Sequence, residues 1–347
     1  MLKTRPSHKF AVSVVAFAAF FAFAAINTAC AAERKSIRWG TSSTGSYGYN
    51  VAAQMTKVLE DALGGEYTVT VNPYPSTTGA MKATMDGDGE ISYTADVGMT
   101  QIYEGDGSFK DYKPAKSRLV HTWYAYPMES FMAVNASKAG QFKSWADFSG
   151  KPVFFTPAGF MNWLNFQRIF KVLGYQFKHV QIGEAAQGDA LQAGTIVGAV
   201  AYTTSGASLS SYWRETELRT DLRVINPSPD EIKKLTAASL VPSEIDPKKA
   251  FSKDVGVKTI LGVPILFGYN VRADMPEEVV YKMLSKFYAE RENLAKAQPG
   301  FIPMARNFVG MQVSGIAANP TVPVHPGLAK FLKEQKAWND KWKIAGK

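Results

Sequence analysis

The stretch that most constrains this chain covers residues 36–49, where a short apolar run ends in small, hydroxyl-rich residues. Apolar residues then recur with a period of about 3.6 residues, which is typical of an amphipathic helix. This pattern stops at Gly64 and Gly65, where a helix takes its C-terminal glycine. The sequence therefore predicts a strand, a loop and a helix, with free backbone N–H groups and the positive end of a helix dipole above the strand.

Two interpretations of this loop remain open. It can hold a small anion, or it can be an ordinary turn in which Ser or Thr caps the helix. Gly45 and Gly48 do not form a dinucleotide fingerprint, and no Gly-Lys-Ser/Thr sequence follows them. Because both phosphate-loop motifs are absent, other segments must decide between the two interpretations.

Residues 1–32 have the layout of a cleaved secretory signal. Basic residues precede an uncharged run over residues 10–26, and small residues follow before the chain becomes charged. The alternatives are a membrane anchor and a lipoprotein that begins at Cys30. The run is short for a membrane span, and Asn27 stands where a lipoprotein signal has an apolar residue. We expect cleavage after the signal and a soluble protein in the periplasm.

Cysteine content and charge narrow the class of protein further. Cys30 is the only cysteine and lies in the predicted signal, so the mature chain has no disulfide and depends on its core. Without residues 1–32, the chain keeps 36 basic and 30 acidic side chains, a net charge of +6. This charge suits an anionic small molecule, with a solvated basic surface as the alternative. The basic residues are scattered, which argues against nucleic acid as a partner.

Strands and helices alternate along the mature chain, which predicts parallel sheets covered by helices. The opening pattern recurs near residue 151, where a strand runs into a polar loop and then into a helix that ends at Gly174. Two similar lobes predict a ligand cleft between them. We expect the first lobe over 33–130, the second over 131–260, and a return to the first lobe with C-terminal helices over 261–347. The predicted strands cover 67–71, 91–99, 119–126, 131–134, 151–155, 197–202 and 263–271, and the predicted closing helices cover 276–297 and 328–342.

No residue pattern indicates catalysis or a metal site. The acidic turn at residues 86–90 superficially resembles a calcium loop, but its glycine is misplaced and Val97 stands where the closing glutamate belongs. Outside the predicted signal, the histidines are His121, His179 and His325, and none lies in a nucleophile-elbow or paired-histidine motif. We expect no catalytic residue, no metal and no cofactor. We expect His325 to hold a C-terminal turn and His121 to lie near the cleft.

The motif Thr41-x-x-x-Gly45-Ser-Tyr47 after the first strand resembles the TAXI family, the solute receptors of tripartite ATP-independent periplasmic (TRAP) transporters. Other matches to this family follow in order along the mature chain: Asp96-Val97, Tyr103-Glu-Gly105, Phe109, Gly159, and residues 323–331, which are similar to its C-terminal Pro-x-His-Pro-Gly-Ala motif. The chain departs from the family at Thr78-Gly79 and at Phe160-Met161-Asn162. These departures bear on the ligand rather than on the fold.

The resemblance implies a two-lobe α/β periplasmic binding protein of type II, a Venus flytrap with a central cleft and two hinge-crossing strands. Such a protein captures a small organic anion, a carboxylate or an amino acid, and delivers it to the membrane subunits of a TRAP permease. We expect a monomer. A ligand-sensing module of a membrane signalling system would use the same fold and is the alternative.

By position, the resemblance also implies which residues line the cleft. On the side of the first lobe these are Thr41, Ser42, Ser43, Thr44, Gly45, Ser46, Tyr47, Thr77, Thr78 and Trp123, and on the other side Thr156, Gly159, Met161, Asn162, Trp163, Thr203, Thr204 and Ser205.

Aromatic residues near predicted strand ends, among them Trp123 and Phe160, predict a partly aromatic cleft, with burial in the core as the alternative. Arg38 and Arg168 are the candidate charge partners of a carboxylate. If the first loop binds the anion through its N–H groups, a side chain at Gly45 would block the ligand or forbid the backbone angles.

Overall fold

The computed structural model describes residues 34–346, so the predicted signal over 1–32 lies outside the described residues. The strands in this part of the chain are β1 (Lys35–Thr41), β2 (Tyr67–Pro73), β3 (Ile91–Ala95), β4 (Leu119–Val120), β5 (Tyr124–Asn135), β6 (Val153–Phe154), β7 (Gly198–Thr204), β8 (Ser208–Leu209), β9 (Leu222–Ile225), β10 (Ser243–Ile245) and β11 (Ile260–Arg272).

The α-helices of the same part are α1 (Tyr47–Ala62), α2 (Thr77–Asp86), α3 (Asp96–Glu104), α4 (Met161–Leu173), α5 (Gln187–Ala193), α6 (Ser211–Arg219), α7 (Pro229–Ala237), α8 (Pro247–Ala250), α9 (Glu277–Ala289), α10 (Arg291–Ala297), α11 (Ile302–Arg306), α12 (Phe308–Ala318) and α13 (Pro326–Glu334). Short 3-10 helices cover Gly107–Phe109, Ala136–Gln141, Trp145–Phe148, Glu184–Ala186 and Pro299–Phe301.

The strands form one curled sheet whose two ends repeat the same order. At one end, the order is β2, β1, β3, β11 and β4, with β1 parallel to β3 and β11 antiparallel to β3 and β4. At the other end, a bridge at His179 precedes β6, β7, β5 and β9. We call the first set, with α1–α3, the first lobe and the second set, with α4–α8, the second lobe.

Two long strands join the lobes. The middle of β5 pairs antiparallel with the middle of β11 from Val263↔Ser130 to Phe267↔Tyr126. Beyond this region, β5 continues into the sheet of the second lobe, where it pairs with β7, and β11 continues into the sheet of the first lobe, where it pairs with β3. This arrangement confirms the predicted fold class, a two-lobe α/β protein with two crossing strands. The predicted boundaries at residues 130 and 260 stay a prediction.

The opening strand, loop and helix occur as the sequence predicts. The hydroxyl of Ser46 caps α1 by accepting from the N–H of Tyr49 at 3.2 Å, and the apolar face of α1 is buried. The repeated pattern is also confirmed, because α4 ends at Gly174, whose φ of 76° lies in the left-handed region that glycine favours. Local capping and periodicity therefore determine both units.

Several predicted bounds are wrong. The strand predicted over 91–99 ends at Ala95, because Asp96 starts α3 and its Oδ1 accepts from the N–H of Val97 at 2.8 Å. The strands predicted over 119–126 and 131–134 are instead β4 and the single long strand β5. The helix predicted over 276–297 divides at Glu290. The last predicted helix ends at Glu334, and α11 and α12 were not expected.

Trp123 is a correction to the predicted cleft residues. Its ring stacks on Phe287 of α9, with ring centroids 4.5 Å apart, and on Tyr269 of β11 at 5.4 Å. The side chain is fully buried. Since Trp123 precedes β5 and faces the C-terminal helices, it belongs to the core of the first lobe.

The two buried histidines serve the fold. His121 is hydrogen-bonded through Nδ1 to the hydroxyl of Tyr124 at 2.8 Å and through Nε2 to the carbonyl of Asn319 at 2.9 Å, so its expected place near the cleft is wrong. His325 is confirmed as a turn residue, because its Nδ1 accepts from the N–H of Gly327 at 3.1 Å at the start of α13. Burial lowers the pKa of both imidazoles to about 4.

None of the helices between residues 34 and 346 has both the length and the apolar character to cross a membrane. The same residues contain no group of three or more side chains placed to hold a metal ion.

Candidate functional site

A small cavity lies where the two lobes meet the crossing strands. Its enclosed space is about 20 Å³, roughly room for one water molecule, so the lobes are shut on each other. The first lobe contributes Ser42, Ser46, Tyr47, Gly48, Thr77 and Tyr93, the second lobe contributes Phe160, Met161, Asn162 and Tyr202, and the crossing strands contribute Met128 and Phe267.

Three helices begin at this cavity. Tyr47, Thr77 and Met161 are the first residues of α1, α2 and α4, and the positive ends of these helix dipoles converge on one place. In the first turns of these helices, five backbone N–H groups of lining residues have no hydrogen-bond acceptor among residues 34–346, which is usual there. They belong to Tyr47, Gly48, Thr77, Met161 and Asn162. The cavity can therefore offer several donors to one anionic group.

The hydroxyl of Thr77 is a further unused donor. The residue is only 2% exposed, lines the cavity, and makes no side-chain hydrogen bond within the described part of the chain. Its oxygen keeps contact with the space of the cavity, since it is not among the fully buried side-chain atoms without a partner. A bound polar group would supply the missing partner.

Aromatic rings form much of the remaining wall. Tyr93 stacks on Phe267 with ring centroids 4.9 Å apart, and Tyr47 meets Tyr126 edge-on at 5.2 Å. Phe160 and Tyr202 face the cavity from the second lobe. The partly aromatic cleft that the sequence predicts is present, although Trp123 does not contribute to it.

No charged side chain of residues 34–346 lines the cavity, but two buried carboxylates lie behind its second-lobe wall. Glu184 accepts from the hydroxyl of Tyr202 at 2.8 Å. Glu129 accepts from the hydroxyl of Thr203 at 2.7 Å and from the N–H of Gly206 at 2.9 Å. Burial raises the pKa of each carboxyl to about 7, and these hydrogen bonds only partly oppose that rise.

Neither candidate arginine lines the cavity. Arg38 pairs with Glu90 at 3.0 Å and with Asp88 at 3.1 Å, away from the helix N-termini. The Nε of Arg168 donates to Oδ1 of Asn165 at 2.8 Å, and burial lowers the pKa of its guanidinium. The charge of Asp96 opposes this lowering of the Arg168 pKa. Burial also raises the pKa of the Asp96 carboxyl, although the charge of Arg168 opposes that rise. A ligand carboxylate in this cavity would meet amide dipoles rather than a cation.

Backbone and side-chain contacts close the cleft around the cavity. The N–H of Thr78 donates to the carbonyl of Gly159 in the other lobe at 3.1 Å. Gly159 has a φ of 86°, and a Cβ there would lie 2.7 Å from Oγ1 of Thr78. Only glycine suits this position, because both the backbone angle and the close approach exclude a side chain.

Gly45 is required for a different reason than expected. Its φ does not lie in the left-handed region, and a Cβ would lie 2.2 Å from the hydroxyl of Tyr212 on α6. Glycine is therefore needed here because Tyr212 of the opposite lobe comes close, and not because of the backbone angles. The hydroxyl of Ser46 accepts from the N–H of Tyr49 and from the hydroxyl of Ser42, the latter at 2.8 Å, and its own hydrogen has no acceptor among residues 34–346.

A C-terminal segment also takes part in the closure, which the sequence does not predict. The hydroxyl of Ser205 donates to the carbonyl of Gly300 at 2.7 Å. A Cβ at Gly300 would lie 2.0 Å from the hydroxyl of Tyr47 and 3.0 Å from Cγ2 of Thr204. The 3-10 helix at Pro299–Phe301 therefore touches both lobes beside the cavity.

The structure brings part of the predicted site together. The predicted residues that line the cavity are Ser42, Ser46, Tyr47, Thr77, Met161 and Asn162. Those that lie in the adjoining loops, strands and helices without lining it are Thr41, Ser43, Thr44, Gly45, Thr78, Thr156, Gly159, Trp163, Thr203, Thr204 and Ser205. That any of them binds a ligand stays a prediction.

The cavity wall also holds residues that the sequence does not predict there: Gly48, Tyr93, Met128, Tyr202 and Phe267. Tyr202 directly precedes a predicted site segment, and Phe160 is one of the aromatic residues from which the sequence predicts a partly aromatic cleft. The side chain of Asn162 is tied to β5, where its Oδ1 accepts from the hydroxyl of Ser130 at 3.0 Å. Its contribution to the cavity is therefore its free N–H rather than its amide side chain.

The sequence of this chain matches the model of a protein family over most of its length. The model of the NMT1-like family matches residues 39–335. The chain belongs to the NMT1-like family. The matched region holds both lobes and all the cavity residues of this NMT1-like protein. Its resemblance to the TAXI family stays a prediction. No curated protein is similar enough in sequence to match.

Solved structures similar to this NMT1-like protein include the periplasmic aliphatic sulphonate binding protein SsuA from Escherichia coli, with a TM-score of 0.46 and 15% identity over 86% of this chain and 83% of that one. The alkanesulfonate-binding protein SsuA from Xanthomonas axonopodis pv. citri, bound to MOPS, has a TM-score of 0.46 and 14% identity over 91% and 98%. A histidine kinase sensor domain with similarity to periplasmic binding proteins has a TM-score of 0.49 and 12% identity over 78% and 96%. At such TM-scores, the fold assignment rests on the strand order of this chain.

Proposed function

We propose that this NMT1-like protein is an exported solute-binding protein. It captures a small organic anion, a carboxylate or an amino acid, in the cleft between its lobes and delivers it to a membrane permease of the TRAP type. The observation that carries this proposal is the cavity shared by both lobes, where five unpaired N–H groups from three helices converge. A site split between two lobes suits capture and release, because separating the lobes divides the donors.

Capture requires the lobes to move. A space of about 20 Å³ admits no organic anion, so the lobes must separate about β5 and β11 before a ligand enters. Closure then brings the N-terminus of α4 against those of α1 and α2 and excludes water from the anion. Each hydrogen bond is stronger in this low-dielectric setting than in water. No bond is made or broken in this cycle.

The TRAP partner and the periplasmic location are supported by the sequence. Residues 323–331 resemble the C-terminal motif of TAXI receptors, and residues 1–32 have the layout of an export signal. Mass spectrometry of the secreted protein checks the signal, with a mature N-terminus expected near residue 32 or 33. An intact N-terminus held in the membrane, or a lipid on Cys30, would contradict it.

Binding is tested by a thermal-shift screen with dicarboxylates, amino acids and aromatic acids. A ligand at about 100 times its dissociation constant is expected to stabilise the folded protein by roughly 2.7 kcal/mol. Small-angle scattering on the same samples is expected to show a change in lobe separation. A screen without any shift, or recovery of a chemically altered ligand after long incubation, would contradict the proposal.

A further inference from the structure

We infer that the ligand of this cleft is a monoanion that carries an aromatic ring. This inference rests on the proposed function, since it names the class of solute that the same cavity takes. It narrows a choice that the sequence leaves open among dicarboxylates, amino acids and other small acids. Three features of the cavity wall carry it.

The first feature is the ring content of the wall. Of the twelve lining residues, five carry aromatic rings, and they come from both lobes and from a crossing strand. They are Tyr47, Tyr93, Phe160, Tyr202 and Phe267. The phenols of Tyr93 and Tyr202 are already hydrogen-bonded, to Tyr126 at 3.0 Å and to Glu184 at 2.8 Å. Because Tyr202 donates to Glu184, it presents ring surface rather than a free polar group to a ligand, whereas Tyr93 accepts from Tyr126 and keeps its own hydrogen.

The second feature is the kind of charge that the wall can balance. The unpaired N–H groups and the hydroxyl of Thr77 can surround one anionic group, but no Lys, Arg or His side chain of the described residues lines the cavity. Each helix N-terminus carries only about half a positive charge. A single anionic group is balanced there, whereas a second one would be buried without a partner.

The third feature concerns a ligand ammonium group. An amino acid needs a carboxylate or a cluster of carbonyl acceptors for its ammonium, and neither Glu129 nor Glu184 lines the cavity. The oxygens of these carboxyls accept from Thr203, Gly206 and Tyr202. An ammonium would therefore enter an aromatic, donor-rich wall that offers it no anion.

The experiment is calorimetry of the full mature protein with matched compounds at one pH. Benzoate is the reference probe. Cyclohexanecarboxylate lacks its aromatic ring, benzamide lacks its charge, terephthalate adds a second carboxylate, and 4-(aminomethyl)benzoate adds an ammonium. We expect benzoate to bind at least tenfold more tightly than each of the other four.

The outcomes separate the two proposals. Tighter binding of terephthalate or 4-(aminomethyl)benzoate than of benzoate overturns the ligand class and leaves the solute-binding function standing. Equal binding of cyclohexanecarboxylate and benzoate overturns the aromatic part of the inference. If none of these compounds or the screened acids binds, the proposed function itself fails.

A pair of variants tests the donor set. Thr77→Val removes the unused hydroxyl with little change of shape and is expected to weaken benzoate binding about 10- to 100-fold, as expected for a lost hydrogen bond to a charged group. Thr77→Ser keeps the hydroxyl and is expected to restore most of the affinity. Thr56→Val, on α1 and away from the cavity, is the matched control. Unchanged benzoate affinity in a folded Thr77→Val protein, checked by circular dichroism, would overturn the placement of the anion.

Discussion

The two lobes use the same strand order and the same strand, loop and helix at the cleft, but the two loops are built differently. In the first lobe, Ser46 caps α1 with its side chain, and the loop carries no left-handed non-glycine residue. In the second lobe, Phe160 stands at the cap position of α4 and makes no side-chain cap, and Thr156 has a φ of 68°. The first loop is satisfied by its own residues, whereas the second depends on its surroundings.

The strands behind the two loops, β3 and β7, also differ in the groups to which their side chains are hydrogen-bonded. Tyr93 and Thr94 of β3 are hydrogen-bonded to a phenol and a carbonyl. Tyr202 and Thr203 of β7 are hydrogen-bonded to the buried carboxyls of Glu184 and Glu129. Among these loops and strands, the backbone strain and the buried carboxyls that accept hydrogen bonds therefore lie on the second lobe's side of the cavity. Such features cost free energy and persist where the surrounding structure imposes them, often at ligand clamps.

The largest expected effect comes from Glu184. Its folded pKa of about 7 lies above the ordinary value of 4.5, so the unfolded chain loses this proton first as pH rises. Stability should fall between about pH 4.5 and pH 7 by about 3 kcal/mol and then stay level. Glu184→Gln keeps the acceptor for Tyr202 but cannot ionise, so it is expected to unfold at higher denaturant concentration than the parent at pH 8 and equally at pH 4.5.

The matched control for this prediction is Glu104→Gln, an exposed glutamate of α3 in the first lobe. Denaturant unfolding of the three proteins across pH provides the measurement. If Glu184→Gln shows the same pH dependence of stability as the parent, ionisation of Glu184 does not destabilise the second lobe. The proposed difference between the lobes would then be wrong for this residue.

The next effect compares the two loop glycines. Gly159→Ala places a side chain at a φ of 86° and against Thr78, so it is expected to weaken ligand binding about 5- to 30-fold through strain of about 1–2 kcal/mol. Gly45→Ala meets only the movable end of Tyr212 at an ordinary backbone angle, and a loss below tenfold is expected. Calorimetry with the ligand found in the screen ranks the two. A greater loss for Gly45→Ala would reverse the comparison of the loops.

Capping gives a smaller effect that is confined to the first lobe. Ser46→Ala removes the side-chain acceptor of the Tyr49 N–H and is expected to lower the free energy of unfolding by about 1 kcal/mol. Ser252→Ala, at an exposed position, is the control for the chemical change itself. Denaturant titration measures both, and an unchanged midpoint for Ser46→Ala would mean that the first loop is no better satisfied than the second.

The smallest effect is expected at Thr156. Thr156→Gly relieves about 1 kcal/mol of strain from the left-handed backbone angle. It also removes a buried hydroxyl that has no hydrogen-bond partner. Against these gains, glycine loses a similar amount of free energy through the greater chain entropy of the unfolded state. The free energy of unfolding should therefore change by less than about 0.5 kcal/mol. A large loss of stability on thermal unfolding would show that Thr156 is not strained.

Much of the fold follows from local signals. The period of α1, its cap at Ser46, the end of α4 at Gly174 and the recurrence of strand, loop and helix can all be read without tertiary contacts. Where an apolar run continues across a change of element, these signals are insufficient. Periodicity does not show that β3 turns into α3 at Asp96, or that β5 passes through Ser130 without a break.

The sequence by itself determined the two loops, the helix N-termini with their free N–H groups, and the absence of a phosphate-binding or catalytic motif from the mature chain. The tertiary structure decided which of these groups meet. Phe267 and Tyr202 reach the cavity, and Gly300 lies beside it, only because β11, β7 and a C-terminal segment fold against the opening loop. Trp123 packs against α9 instead of lining the cavity. Capping and periodicity act over a few residues, whereas a cavity wall depends on strand pairings between residues far apart in the chain.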